Sequence, residues 1–192
     1  ITGNFFGTAD FDPGAGTANL NAVGNSDIFF AKYSAFGGYI WAKSIGSPSD
    51  DGCHSIIVDG FGNAYITGYF NDTADFDPGA GTVYLVSGGL YDLFFAKYDT
   101  NGNYLWANRI GSTGNDISRS IVVDGSGNML ITGYFDVTTD FDPGPGTANL
   151  TSVGGWDNFF AKYDSNGNYL WANRIGNGVA DNSYCIAVDD LN

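Results

Sequence analysis

The chain has 192 residues and a net charge of −14, with a sequence pI near 4.1. Phosphate backbones and anionic membrane surfaces are poor partners for it, because the binding free energy they offer comes from Lys and Arg. We therefore expect no nucleic-acid partner. Since no stretch approaches the roughly 20 apolar residues that span a bilayer, we expect no membrane insertion either.

The composition favours strands over helices. All 21 acidic residues are Asp, 29 residues are Gly, and aromatic residues make up 16% of the chain. Helix surfaces usually carry Glu, whereas this balance suits strands joined by turns of Gly, Asn and Asp. The sequence therefore predicts an all-β fold.

A 65-residue period, the spacing from Ile1 to Ile66, runs through the chain. A unit repeated this regularly buries its apolar face against a copy of itself. We predict three tandem repeats, approximately 1–65, 66–130 and 131–192, circularly offset relative to the structural units. Three motifs mark the period: Ile-Thr-Gly at Ile1, Ile66 and Ile131, Phe-Asp-Pro-Gly at Phe11, Phe76 and Phe141, and Phe-Phe-Ala-Lys-Tyr at Phe29, Phe94 and Phe159.

The stretch from Asp116 to Asp181 contains one full period and shows the predicted elements in chain order. Turn signals rich in Gly and Asn separate short apolar runs, and a long connection with Phe-Asp-Pro-Gly lies between the second and third runs. The four predicted strands are Ser120–Asp124, Met129–Phe135, Asp157–Tyr163 and Tyr169–Ile175.

The first and third strands of the period are apolar on both faces. Four antiparallel strands of this kind predict a sheet covered on both sides by neighbouring sheets. That arrangement is the blade of a β-propeller, so the fold class is all-β with three four-stranded antiparallel blades. A β-solenoid is the structural alternative, although its coils are usually much shorter than this period.

An ordered set of motifs resembles a known repeat family. Ile-Ala-Val-Asp is followed by Gly-Asn-x-Tyr-Ile-Thr-Gly, Asp-x-Phe-Phe-Ala-Lys-Tyr and Asn-Gly-Asn-Tyr-Leu-Trp-Ala. This order resembles the bacterial β-propeller repeats often labelled SBBP, over essentially the whole chain. The resemblance implies secreted or surface-displayed proteins built from many blades, mostly without assigned activity. The chain departs from the family in its longer connection and in having three blades where seven are typical.

Recurring Asp pairs are candidate metal ligands. Residues two apart in extended backbone point to one side, roughly 6.5–7 Å apart, so two carboxylates and loop carbonyls could surround a hard cation. Ca²⁺ is the natural cofactor because it takes six to eight oxygen ligands in irregular geometry. The alternative is a turn whose Asp accepts backbone amide protons. The candidate ligands are Asp10, Asp12, Asp75, Asp77, Asp140 and Asp142.

Repeated Lys and Trp residues have structural interpretations. A Lys within an apolar strand is costly unless it is paired, so each is expected to meet an Asp at the start of its own strand or at the end of a first strand. The recurring Trp is expected to pack between blades, with a sugar-stacking platform as the alternative. The residues are Lys32, Lys97 and Lys162, with Asp27, Asp92, Asp157, Asp59, Asp124 and Asp189 as partners, and Trp41, Trp106 and Trp171.

Residues that break the period are the candidates for binding. His54 aligns with Arg119 and Tyr184, which favours a loop position over a general base. If the chain recognises a glycan or a protein, then His54, Trp156 and Tyr184 are expected to lie on one face. Cys53 and Cys185 occupy different positions of the period, so we expect two separate, buried thiols.

We predict a non-enzymatic extracellular or cell-surface module with a structural, adhesive or filament-forming role, ordered by calcium. A glycan- or protein-binding propeller is the alternative. Ile1 lies in a second strand, whereas 186–189 ends a first strand. We therefore expect the terminal strand to complete the first blade of another copy, in a six-bladed ring of two chains or in a fibre. A longer parent protein would complete the blade in cis.

Overall fold

The computed structural model describes residues 1–189 as an all-β chain. This part of the chain has 17 strands and no helix, and hence no helix of membrane-spanning length. The strands are β1 (Thr2–Phe5), β2 (Thr8–Asp10), β3 (Asn19–Asn21), β4 (Asp27–Tyr33), β5 (Tyr39–Ile45), β6 (Gly52–Val58), β7 (Ala64–Phe70), β8 (Thr73–Asp75), β9 (Tyr84–Val86), β10 (Asp92–Tyr98), β11 (Tyr104–Ile110), β12 (Ile117–Val123), β13 (Met129–Phe135), β14 (Thr138–Asp140), β15 (Asn149–Thr151), β16 (Asp157–Tyr163) and β17 (Tyr169–Ile175).

Three main antiparallel sheets follow one another along the chain. The first has the order β1-β4-β5, the second β6-β7-β10-β11 and the third β12-β13-β16-β17. The pairs β2-β3, β8-β9 and β14-β15 form separate two-stranded sheets. Because β6 precedes the Ile66 motif and β7 contains it, the second sheet joins strands from two successive periods of the sequence.

The predicted strand order agrees with the third sheet. The second, third and fourth predicted strands match β13, β16 and β17 residue for residue, and the first begins earlier, at Ile117. The sequence did not predict the β14-β15 hairpin in the long connection, because its three-residue strands lack an apolar pattern. The predicted strand at 186–189 was wrong as a strand: the structure assigns none from 176 to 189, where no neighbouring strand offers a hydrogen-bonding edge.

Aromatic side chains join each main sheet to the next. The Phe30 and Tyr98 rings lie 4.5 Å apart between the first and second sheets, and the equivalent Phe95 and Tyr163 rings lie 4.4 Å apart between the second and third. Strand β10, in the middle of this stack, is buried along almost its whole length. The second sheet is therefore covered on both faces, as the apolar third strand predicted.

The repeated Trp residues lie where consecutive sheets meet. Trp41 Nε1 donates to the carbonyl of Thr100, in the β10–β11 turn of the second sheet, over 3.3 Å. Trp106 reaches the third sheet in the same way: a Cβ placed on Gly167 would lie 3.3 Å from its indole ring. These contacts confirm the packing role for both residues.

Candidate functional site

The Phe-Asp-Pro-Gly loops use their carboxylates to hold the backbone. Asp10 Oδ1 accepts from the amides of Asp12 and Ala18 at 3.0 and 2.8 Å, and Asp12 Oδ1 accepts from the amide of Gly14 at 2.8 Å. The other two loops have the same hydrogen bonds, in which backbone amides donate to Asp75, Asp77, Asp140 and Asp142.

The second carboxylate oxygen of each loop lies against a glycine. A Cβ on Gly16, Gly81 or Gly146 would overlap Oδ2 of the preceding Asp12, Asp77 or Asp142. This close approach explains the second Gly of the Phe-Asp-Pro-Gly-x-Gly motif. Within residues 1–189 no group of three or more His, Cys or Asp side chains is gathered as a metal site. Calcium binding by the Asp pairs stays a prediction.

The Asp-x-Asn-Gly-Asn segments are turns. Asp99 Oδ1 accepts from the amides of Asn101 and Asn103 at 2.8 and 2.9 Å, and Gly102 has a φ of 76°. Gly37 and Gly167 also have positive φ, at 81° and 85°. These glycines provide the backbone conformation that a tight hairpin requires.

Two of the three repeated lysines pair with an Asp at the end of a first strand. Lys97 Nζ lies 3.7 Å from Asp59 and Lys162 Nζ lies 2.8 Å from Asp124. Lys32 departs from this pattern: it is exposed and donates to the carbonyl of Thr100 over 3.1 Å. The first sheet has no β6 equivalent to supply the matching Asp, which explains the difference.

His54 lies in a strand, so its predicted loop position was wrong. It is the extra residue of a β-bulge in β6, where the register with β7 shifts between Cys53 and Ser55. Arg119 is the extra residue of the equivalent bulge in β12, between Ser118 and Ser120. A bulge turns its unpaired residue away from the alternation of the strand, so both side chains leave the sheet at equivalent points.

The two bulge residues hydrogen-bond to each other. His54 Nδ1 lies 2.7 Å from the carbonyl of Ser118, which can only accept, so Nδ1 carries the proton. Nε2 is then an acceptor, and Arg119 donates to it over 2.9 Å. Desolvation lowers the pKa of His54, the nearby Arg119 charge lowers it further, and the Ser118 contact opposes the shift. The imidazole is therefore neutral near pH 7.

Aromatic rings surround this pair. The Arg119 guanidinium lies 5.4 Å from the centre of the Tyr134 ring and 5.9 Å from that of Tyr184. Trp156 stacks on Tyr134 at 5.1 Å with 29° between the ring planes. His54 contacts Tyr69 at 5.3 Å, and Tyr69 in turn contacts Tyr91 at 5.0 Å. We call this set the aromatic row: His54, Tyr69, Tyr91, Arg119, Tyr134, Trp156 and Tyr184.

The aromatic row brings together the three residues that the sequence singled out, namely His54, Trp156 and Tyr184. Sequence reasoning missed Tyr69 and Tyr134. These residues occupy the same position of the period, at which the first period has Asn4. The change from Asn to Tyr at this position was the signal that could have identified them. The role of Arg119 could not be predicted, because a β-bulge does not change the alternation of apolar residues along a strand.

The cysteines are separate free thiols, as predicted, but only one of them is buried. Cys53 is 4% exposed, and burial raises the pKa of its thiol to about 11. Cys185 is exposed, which contradicts the prediction for it. It follows the third sheet in the 176–189 segment, where no strand covers it.

Comparison with known proteins agrees with the sheet architecture. Residues 40–73, which include β6 and β7, match the family described as "SBBP: Beta-propeller repeat". The chain carries an SBBP β-propeller repeat. The resemblance drawn from the ordered motifs is thereby confirmed for residues 40–73.

Two longer proteins are similar to most of this chain. An uncharacterized WD repeat-containing protein of Acanthamoeba polyphaga mimivirus is 32% identical over 196 residues, covering 92% of this chain and 14% of the relative. The regulatory protein FlaEY of Caulobacter vibrioides is 23% identical over 170 residues, covering 86% and 17%. The chain thus spans about one sixth or less of the length of these relatives.

Proposed function

We propose that this chain is a non-enzymatic β-propeller scaffold whose three main sheets act as blades and whose open edge is completed by a strand from a second copy. The proposed setting is extracellular or at a cell surface, with a structural, adhesive or filament-forming role. The observation that carries the proposal is the segment after β17, which docks on the third sheet with the contacts that the first strand β12 makes on the second.

Gly3 supports a bulged strand at that edge. Its equivalents Gly68 and Gly133 must be glycine, because a Cβ there would overlap the bulge carbonyls of Gly52 and Ile117. The nearest atom to a Cβ on Gly3 would belong to the Phe29 ring, at 3.0 Å, and not to a backbone carbonyl. The glycine thus keeps free the space that a bulged first strand needs.

The segment after the third sheet has the contacts of a first strand. Ser183 Oγ lies 2.8 Å from both Gly133 O and Thr132 Oγ1, and the equivalent Ser118 Oγ lies 2.8 Å from Gly68 O. Ile186 N donates to Ser120 Oγ over 3.3 Å, as Ile121 N does to Ser55 Oγ. The segment therefore docks on the third sheet in the way that β12 docks on the second.

The register of the second sheet fixes the pairing between copies. Ser55 faces Thr67 and Ile56 faces Ile66 across β6 and β7. By the same register, Cys185 of one copy faces Thr2 of the other and Ile186 faces Ile1. Two copies close a ring if each completes the other, and a head-to-tail series makes a fibre.

A designed cross-link tests this register. Thr2→Cys is made together with Cys53→Ser, because Cys53 would compete for the new thiol and Ser is the residue at the equivalent positions 118 and 183. Directly opposed antiparallel residues lie within disulfide reach. We expect oxidation to give covalent dimers from a ring or a ladder from a fibre, seen by non-reducing electrophoresis.

The matched control adds Cys185→Ser, which is expected to abolish the cross-links. A covalently closed monomer, or no product above this control, would contradict completion by a second copy. Surface labelling of the producing cells with a membrane-impermeant reagent tests the location separately.

Glycan or protein binding is the second candidate function. It is favoured by the gathering of His54, Trp156 and Tyr184 in the aromatic row. An enzymatic role has less support, because His54 is held by Ser118 and Arg119, and no Ser, Thr or Cys side chain within residues 1–189 is hydrogen-bonded to its ring.

A further inference from the structure

The bulge recurs at the same place in consecutive sheets while its residue changes. The bulge residue is His54 in β6 and Arg119 in β12, and Tyr184 has the equivalent sequence position in the segment docked on the third sheet. The neighbouring backbone contacts through Ser118 and Ser183 are the same. A fixed backbone with a variable side chain is the arrangement expected where contacts to a ligand differ from one position to the next.

The surface offered by these residues is aromatic and open. Trp156 is 36% exposed and Tyr184 is 70% exposed, whereas Tyr134 beneath them is only 7% exposed. The buried Tyr134 ring, stacked on Trp156 and under Arg119, holds its neighbours in place. Rigid aromatic groups lose little conformational entropy when they bind, which makes them effective contact residues.

We propose that the aromatic row binds a neutral saccharide chain, with Trp156 and Tyr184 stacking against the apolar faces of sugar rings and Arg119 donating to hydroxyl groups. This inference rests on the second candidate function and names its ligand class. It adds to the scaffold role and does not require strand completion.

Polar groups within the row suit hydroxyl ligands. Arg119 Nε is a buried donor with no hydrogen-bond partner in the described structure. Leaving such a donor unpaired is costly, and a small shift of the side chain would let it reach a hydroxyl oxygen. Neutral His54 keeps Arg119 oriented through Nε2. A sugar hydroxyl both donates and accepts, so it can meet Arg119 without requiring an opposite charge.

The charge of the protein selects against anionic saccharides. A net charge of −14 repels uronic-acid and sulfated polymers at long range. The Arg119 guanidinium disfavours a cationic group beside the Tyr134 and Tyr184 rings. A neutral saccharide avoids both penalties.

Saturation-transfer NMR on the whole chain provides the test. The probes are cellohexaose, xylohexaose, mannohexaose and chitohexaose, with an oligogalacturonate as the anionic comparison. We expect transfer to at least one neutral probe and none to the oligogalacturonate. Trp156→Ala and Tyr184→Ala are each expected to weaken binding by roughly tenfold, about 1.4 kcal/mol.

Phe61→Ala is the matched control, because Phe61 is 87% exposed and lies in the β6–β7 turn, outside the row. It is expected to leave binding unchanged, and thermal melts confirm that all three variants fold. No binding to any neutral probe, binding to the anionic probe alone, or binding unaffected by both row variants would overturn the inference. The cross-linking result is independent of each of these outcomes.

Discussion

At the scale of single residues, the chain places several carboxylates in buried positions at strand ends. Asp51 accepts from the amides of Ser47 and Asn71 at 2.6 and 3.0 Å. Burial, with a smaller effect of the Asp27 charge, nevertheless raises its pKa to about 6. Burial also raises the pKa of Asp92 to about 6, although Arg109 lies 3.0 Å away. Desolvation thus outweighs the hydrogen bonds at both sites.

Replacing Asp51 by Asn is expected to show the desolvation cost of the Asp51 carboxylate as a pH dependence of the free energy of unfolding. The folded state holds the Asp51 proton more tightly than the unfolded state, so this group's contribution is full below about pH 4 and is lost as the pH rises through about 6. The stability of the native chain relative to Asp51→Asn should therefore fall by about 3 kcal/mol across that window. Chemical denaturation at several pH values measures it.

Asp10→Asn provides a control of opposite sign. The amides of Ala18 and then Asp12 lower the pKa of Asp10, so its contribution is present above the unfolded pKa and is lost as the pH falls below about 4. A stability difference between the native chain and Asp51→Asn that does not change from pH 4 to 7 would contradict the shifted pKa.

At the scale of single elements, the Phe-Asp-Pro-Gly loop satisfies its own backbone. Asp75 accepts from the amides of Asp77 and Val83, and Asp77 accepts from that of Gly79. Tyr98, buried beneath, donates to the carbonyl of Phe76 over 3.0 Å. The loop is therefore anchored both by its carboxylates and by the third strand of its own sheet.

The calcium hypothesis for this loop predicts a higher Tm when Ca²⁺ is added to chelator-treated protein, because an ion that binds only the folded state stabilises it. Asp75→Asn with Asp77→Asn should reduce that increase, and Mg²⁺ serves as the comparison ion. Differential scanning calorimetry measures the effect. An unchanged Tm would leave amide acceptance as the role of these carboxylates.

At the scale of the whole molecule, edges and bulges decide how sheets are completed. Gly68 faces a bulged strand within the second sheet, whereas its equivalent Gly3 lies on the open edge of β1. Glycine is thus packed against the backbone of a neighbouring strand in the second sheet, whereas in the first sheet no strand lies opposite it. Completion by a second copy would remove that difference.

Alanine at the two positions should therefore have different effects. Gly68→Ala is expected to destabilise the fold by about 3 kcal/mol or more, because the clash is with backbone. Gly3→Ala is expected to cost about 1 kcal/mol in the isolated chain but to suppress the cross-link that Thr2→Cys forms with Cys185. Denaturation and the cross-linking assay measure the two effects. Unimpaired cross-linking in Gly3→Ala would exclude a bulged strand opposite β1.

The sequence predicted the strands, whose pattern is periodic and local. It could not predict the contacts that form where one sheet packs on the next. Apolar runs and glycine turns gave the bounds of β13, β16 and β17, since strand alternation and hairpin chemistry are local. The bulges at His54 and Arg119 shift the register without changing the residue pattern, so the aromatic row was visible only as three residues that break the period. The partner of Lys32 could not be predicted either, because it depends on which first strand is present.

The connections between the main sheets have a mechanical consequence. The second and third sheets are each formed by one continuous stretch of the chain, and the residues 111–116 join β11 of one to β12 of the other. Tension along the polypeptide would therefore reach hydrogen-bonded strands through a short connection that offers little chain to extend. Such an array should resist stretching as a series of sheets, and it should yield by the sudden rupture of whole sheets.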